Sequence, residues 1–236
     1  MKTRVDSAAI VIVGVLAFWT GIWLAALDYP AAFDWGFVTI SSLVYPHRNP
    51  VGHGWATAGI LLCGLLGAFW SVARAMRSRA EGGSRALAGL WTLAVGFGAM
   101  ACAGLLPERF LAVPKGHQIL ALTAFFCLCV GTVRLSIDTI SRRRGRDTRG
   151  GAARFAVPAA AWAAGPLAPI ALAGATQLYL AVWRPELPWV TPAWRALGVP
   201  LYLSFAFWEW LACAVFSAYL VTLALGTAPC ADSARP

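Results

Sequence analysis

Residues 8–27 read AAIVIVGVLAFWTGIWLAAL, a run without any charged side chain. An apolar helix of about 20 residues is long enough to cross the hydrocarbon core of a bilayer. Runs of this kind recur along the chain, and we predict that the fold class is all-α, a single bundle of six transmembrane helices. The predicted spans lie near residues 8–27, 53–73, 86–106, 117–137, 156–183 and 199–226.

The composition of the whole chain supports a membrane protein. Of its 236 residues, 59% are hydrophobic and 12% are charged, whereas about 25% charged residues are usual in a soluble domain. The net charge is +9, but the basic residues lie between apolar runs, so we do not expect nucleic acid as a partner. We find no nucleophile elbow, Walker loop, HExxH helix or dinucleotide fingerprint.

The distribution of Lys and Arg predicts how the bundle is oriented. Fourteen of the 19 basic residues lie on the same side as the N-terminus and five on the other, and the richer side is normally the cytoplasm. We therefore expect both termini in the cytoplasm and a multi-pass protein of the bacterial inner membrane. Residues 141–154 form a basic segment that we interpret as a flexible linker and topology determinant, with anionic lipid binding as the alternative.

Two predicted spans begin with the same short motif. Residues 50–53 read Pro-Val-Gly-His and residues 114–117 read Pro-Lys-Gly-His, and a cysteine follows each histidine ten residues later. We interpret this pattern as a duplicated helical hairpin. It would place His53 and His117 at the same depth on the extracytoplasmic side.

Polar side chains at that side form a candidate site. Two histidines and a carboxylate could bind zinc or another divalent metal ion, one histidine could act as a general base, or basic side chains could hold a lipid phosphate. Alternatively, each histidine caps or anchors its own helix. The predicted catalytic residues are His53, His117 and Glu108, the predicted metal ligands are His53 and His117, and the predicted substrate contacts are Arg48, Arg109, Ser42 and Glu209.

Glu209 is the acid nearest to the middle of a predicted span. A carboxylate there is costly unless it is protonated, paired or facing a polar cavity. It could carry a proton, contact a substrate or form a hydrogen bond to Gln177. It would lie about 16 Å below the outer end of a span that began at residue 199. Contact with the histidines would then need a re-entrant loop or an aqueous vestibule. We expect residues 28–52 to fold back over the bundle.

Several short motifs resemble a known family. The run Gly104-Leu105-Leu106-Pro107-Glu108, followed by His117 and Phe125, is similar to a signature of a bacterial six-helix membrane family of unknown function. That family is related to the DRAM/Frag/Sfk group. Residues 40–43 and the pair Asn49-Pro50 resemble its Ile-Ser-Asp-Leu-Gly loop and the asparagine that follows.

The resemblance covers about residues 35–130 and implies six helices and a membrane-lipid context. Some eukaryotic relatives take part in remodelling the lipid of GPI anchors, and others modulate autophagy. No established reaction is implied for the bacterial members. This chain has Ser42 where the family usually has aspartate and Val44 where it usually has glycine.

Three functions are compatible with these patterns, and they leave open whether the protein is an enzyme. The first is binding or modification of a lipid or lipid-linked substrate at the extracytoplasmic face through a histidine-centred site, so that membrane lipid is the expected partner. The second is a non-enzymatic scaffold subunit that packs against a partner membrane protein through small residues such as Ala171 and Gly174. The third is a small-solute or proton transporter that uses Glu209.

Overall fold

The computed structural model describes residues 2–80, 85–105, 116–146, 165, 167–184 and 194–226. These residues form helices joined by turns and irregular segments, with no strand among them, so the all-α prediction is confirmed. In chain order the helices are α1 (Lys2–Leu27), α2 (Ile40–Val44), α3 (His53–Ala80), α4 (Arg85–Leu105), α5 (Gly116–Arg146), α6 (Leu167–Trp183) and α7 (Phe205–Gly226), and a 3-10 turn spans Leu201–Leu203.

Five of these helices contain segments long and apolar enough to cross a membrane, and they make the chain a multi-pass membrane protein. A further apolar helix, Leu167–Leu180, is shorter. The predicted fifth span at 156–183 also includes residues 156–164 and 166, which lie outside the described residues. The sixth span, the cytoplasmic termini and the hairpin duplication therefore remain predictions. The five segments are Ala8–Leu27, His53–Ala80, Ala86–Leu105, Ile119–Asp138 and Phe205–Leu225.

Two predicted boundaries are wrong. The last span was expected to start at residue 199, but the helix begins at Phe205, after a 3-10 turn whose N-cap is Pro200. Ser204, between that turn and α7, has an extended backbone (φ −73°, ψ 126°), so the turn and the helix are separate elements. The segment from residue 141 was expected to be flexible, but α5 continues through Arg146. The rest of that segment, residues 147–154, lies outside the described residues.

Neighbouring long helices pack in pairs, α1 on α3, α3 on α4 and α4 on α5. The first pair approaches closely because two glycines face each other across it. A Cβ atom on Gly59 would lie 2.8 Å from the carbonyl oxygen of Ala17, and one on Gly21 would lie 2.5 Å from that of Trp55. Small residues at such contacts let helix backbones meet directly, which is a main source of packing energy inside a bilayer.

Helix α7 closes the ring of long helices. On one side it packs against α1, where the Trp19 indole N–H donates to Ser217 Oγ at 2.9 Å. On the other side the Tyr219 hydroxyl donates to the carbonyl oxygen of Thr132 on α5 at 2.9 Å and also bonds to Ser136. Helices α1, α3, α4, α5 and α7 thus surround a common interior.

The segment between α1 and α3 folds back onto the bundle, as expected for residues 28–52. It lies at the end where α1 stops and α3 starts, which we call the outer end. The indole N–H of Trp210 donates to the Val38 carbonyl oxygen at 2.9 Å, and Ser204 donates to that of Gly36. Ile40 and Leu43 of α2 are buried in the main hydrophobic core, so α2 packs as part of the bundle.

Candidate ligand-binding cavity

A cavity of about 130 Å³ lies inside the ring of helices, and side chains from α1, α2, α3, α4, α5 and α7 line it. Most of its wall is apolar. The hydroxyl, imidazole and carboxyl groups in the wall come from four residues: Ser41, His117, Glu209 and Ser217. Ser41 belongs to α2, His117 is the second residue of α5 and Glu209 is the fifth of α7. Since α2 folds back at the outer end, Ser41, His117 and Glu209 lie at that end of the cavity, whereas Ser217 lies farther along α7.

Glu209 reaches this layer because of where α7 begins. It lies four positions after the helix start at Phe205, which is about 6 Å of helical rise rather than the 16 Å expected. Its Oε2 accepts a hydrogen bond from the backbone N–H of Ile40 at 2.9 Å. The hydrogen bond proposed with Gln177 is not formed, because the Gln177 side-chain nitrogen has no hydrogen-bond partner. Glu209 therefore joins α7 to α2.

Asn49 fixes α2 in place. Its side chain is 0% exposed, and its Nδ2 donates to the carbonyl oxygens of Ala25 at 2.9 Å and Leu43 at 3.4 Å. Its Oδ1 accepts from the backbone N–H of Gly52 at 3.1 Å. One amide thus ties together the end of α1, the end of α2 and the turn before α3. Asn49 is not among the predicted site residues, although it is the single asparagine of a largely apolar chain and could have been singled out on that ground.

His117 lies in the cavity wall. Its side chain is 6% exposed, and its Nδ1 is 3.1 Å from the carbonyl oxygen of Ala103 on α4. The ring of Tyr45 packs beside it, with the two ring centroids 5.1 Å apart. His117 thus links α4, α5 and the segment that carries α2.

His53 has a different environment from His117 despite the shared motif. Its Nδ1 is 3.1 Å from the carbonyl oxygen of Asn49 and 3.2 Å from that of Pro50. The ring is partly exposed and does not line the cavity. His53 therefore interacts with the turn that precedes its own helix, whereas His117 contacts a neighbouring helix.

The proposed metal centre has no counterpart in the part of the chain that the structure describes. Within those residues, no group of three or more His, Cys, Asp or Glu side chains could hold a metal ion. Glu108, the predicted third member of the site, and Arg109 lie outside the described residues. Metal binding therefore stays a prediction.

Arg48 lies on the exposed side of the same segment. Its Nη1 donates to Ser42 Oγ at 2.9 Å, and its guanidinium carbon is 5.8 Å from the centroid of the Tyr45 ring. No described carboxylate forms an ion pair with it. Ser42 is 1% exposed and also bonds to Thr39, so its hydroxyl orients Arg48. Because Tyr45 touches both Arg48 and His117, a single aromatic ring joins the outer surface to the cavity wall.

The fold and this cavity define a multi-pass helical membrane protein with a mainly apolar site beneath a re-entrant segment. No protein-family model matches the chain, and no curated protein or solved structure is detectably similar to it.

Proposed function

We propose that the protein binds a membrane lipid or a related amphiphile at the extracytoplasmic end of its bundle. The apolar part of the ligand would occupy the central cavity, and its polar part would lie near His117 and Arg48. The observation that carries this proposal is an apolar cavity in which three of the four polar lining residues, Ser41, His117 and Glu209, lie at or near the outer ends of their helices. Such a distribution matches a molecule with one apolar and one polar end.

The size of the cavity limits what can enter. An apolar void leaves its lining atoms without contact partners, which is unfavourable until something fills it. A cavity of about 150 Å³ lined by apolar side chains can take up benzene. The space of about 130 Å³ is therefore large enough for a short apolar group or part of an acyl chain, and the rest of a larger lipid would extend beyond it.

Arg48 supplies a contact for an anionic headgroup. Its guanidinium is exposed and held by Ser42 and Tyr45, and guanidinium groups form strong paired hydrogen bonds with phosphate. The excess of Lys and Arg on the opposite side supports an extracytoplasmic location for this end. A lipid ligand also agrees with the lipid context that the family resemblance implies.

Filling the cavity should remove the bound lipid. Ala121 of α5 lines the cavity, and in the Ala121→Phe variant the new ring would occupy the space a ligand needs. We expect the amount of lipid that copurifies with the protein, measured by native mass spectrometry, to fall at least about tenfold.

Leu122→Phe provides the matched control. The neighbouring Leu122 is 69% exposed on the outside of the bundle, so a phenylalanine there adds a ring without entering the cavity. Its bound lipid should equal that of the wild type. Equal lipid content in the Ala121→Phe and Leu122→Phe proteins would refute binding in the cavity.

The two histidines should differ in their effect on lipid binding. In His117→Phe the ring is kept but the polar contact in the cavity wall is lost, whereas His53→Phe alters a residue outside that wall. We expect His117→Phe to weaken binding of a fluorescent lipid by roughly threefold to tenfold, the effect of one lost hydrogen bond. His53→Phe should have no such effect. If His53→Phe weakens lipid binding as much as His117→Phe does, the result would favour the shared histidine centre predicted from the repeat.

One observation favours the scaffold function as a second candidate. Ala171, Gly174 and Ala175 on α6 are exposed, and a Cβ atom on Gly174 would meet nothing within 4 Å. Small residues of this kind allow another helix to approach closely. This surface therefore remains open to a partner helix as far as the described residues show.

A further inference from the structure

Glu209 places a carboxyl group in the cavity wall, and none of the described residues supplies a counterion for it. In the described residues its hydrogen bond comes from the backbone of Ile40, and no Lys, Arg or His side chain forms an ion pair with it. An acidic side chain within a membrane bundle is costly, and it normally pairs with a cation or serves a ligand or ion pathway. The wall around Glu209 is mainly apolar, which strengthens any attraction to a positive charge.

The aromatic side chains that line the cavity also favour a positively charged ligand. The cavity is lined by four phenylalanine rings as well as by the carboxylate, and these are Phe18, Phe97, Phe125 and Phe216. The face of an aromatic ring attracts cations, and aromatic side chains are the usual means of binding alkylammonium groups. An anion would be repelled by Glu209 and would gain nothing from the ring faces.

We infer that the central cavity is a binding site for an organic cation, an alkylammonium group held by the Glu209 carboxylate and by phenylalanine rings that line the cavity. This inference rests on the proposed function and specifies its ligand: the polar part of the amphiphile carries a positive charge that lies beside Glu209 at the outer end of the cavity, and any anionic group of the same headgroup lies outside the cavity at Arg48. Arg48 does not oppose this charge inside the cavity, because its side chain is not part of the cavity wall.

The inference can be tested with three probes that share one alkyl chain. Octyltrimethylammonium, octanol and octyl sulfate would be titrated into the purified full-length protein in nanodiscs, with binding followed by calorimetry. We expect the ammonium probe to bind at least about tenfold more tightly than octanol, and also more tightly than octyl sulfate. In Glu209→Gln, which keeps the size of the side chain and an acceptor for Ile40, the ammonium and octanol affinities should become equal.

Asp34→Asn is the matched control for general electrostatic attraction. Asp34 also lies at the outer end, where it pairs with Arg195, but it does not line the cavity. Its replacement should leave the preference for the ammonium probe unchanged. A preference that disappears equally in the Asp34→Asn and Glu209→Gln proteins would overturn the assignment of the cation to Glu209.

Binding of the three probes to the wild-type protein distinguishes failure of this inference from failure of the proposed function. If octanol binds as tightly as the ammonium probe, the cavity binds amphiphiles but the cation inference is wrong. If no probe binds, both proposals fail. Should Glu209→Gln not fold, Phe125→Leu provides the second variant, since it keeps the carboxylate and removes one ring. It should reduce the ratio of ammonium to octanol affinity roughly threefold, and an unchanged ratio would rule out cation binding by the rings.

Discussion

Replacing Asn49 by alanine is expected to lower the free energy of unfolding by about 3 kcal/mol and to release α2 from the cavity wall. The wild-type side chain forms hydrogen bonds to Ala25, Leu43 and Gly52. Alanine would leave two carbonyl oxygens and one N–H without these partners in a buried position. Each unsatisfied buried group costs about 1–3 kcal/mol, and there is little water at this site to replace the lost bonds.

Two measurements would detect this change in the Asn49→Ala protein. Its thermal unfolding temperature in detergent should fall, and limited proteolysis should cut residues 28–52 faster than in the wild type. Val51→Ala is the control, because Val51 is 72% exposed in the same segment and makes no comparable contact. If Asn49→Ala and Val51→Ala unfold at the same temperature, the amide does not anchor the segment.

Replacing Gly59 by leucine is expected to separate α1 from α3 and to destabilise the protein by about 3 kcal/mol or more. Even a single Cβ atom at this position would lie 2.8 Å from the carbonyl oxygen of Ala17 and 3.1 Å from the Cα atom of Gly21. These are backbone atoms of the facing helix, so no side-chain rotation can relieve the overlap. The helices must move apart, and the contacts along α1 and α3 are weakened.

The comparison for this variant is Gly98→Leu, the same substitution in another long helix. A Cβ atom on Gly98 would meet nothing within 4 Å, and leucine has a higher helix propensity than glycine. Gly98→Leu should therefore unfold at the wild-type temperature or above it, as measured by circular dichroism in detergent. The close helix contact would be disproved if Gly59→Leu were as stable as Gly98→Leu.

The helix positions were largely predictable from local sequence. The run at 8–27 coincides with the membrane segment Ala8–Leu27, because continuous apolar residues bounded by polar ones describe a spanning helix without any knowledge of its neighbours. The prediction failed ahead of α7, where the apolar residues after Val199 form a turn. Hydropathy alone does not distinguish an apolar turn from the start of a helix.

The contacts of the two histidines were predicted less well than the helix positions, because they depend on which helices lie side by side. The motifs at 50–53 and 114–117 are similar, and the histidine in each opens a long helix. His53 nevertheless contacts the turn before its own helix, while His117 contacts Ala103 on α4. A short motif specifies the contacts that a residue makes within a few positions of itself, and it does not specify which helix will lie beside it.

That this chain is helical and membrane-spanning follows from its amino-acid sequence alone, because a run of about twenty apolar residues is long enough to cross a bilayer whichever helices lie beside it. That His117 and Glu209 share a cavity wall while His53 does not is seen only in the folded bundle. That outcome depends on α2 folding back beneath the outer end and on α7 starting at Phe205. The fold-back of residues 28–52 was predicted from sequence, but the contacts it makes with α7 result from hydrogen bonds and packing between residues far apart in the sequence, and no local pattern specifies those contacts.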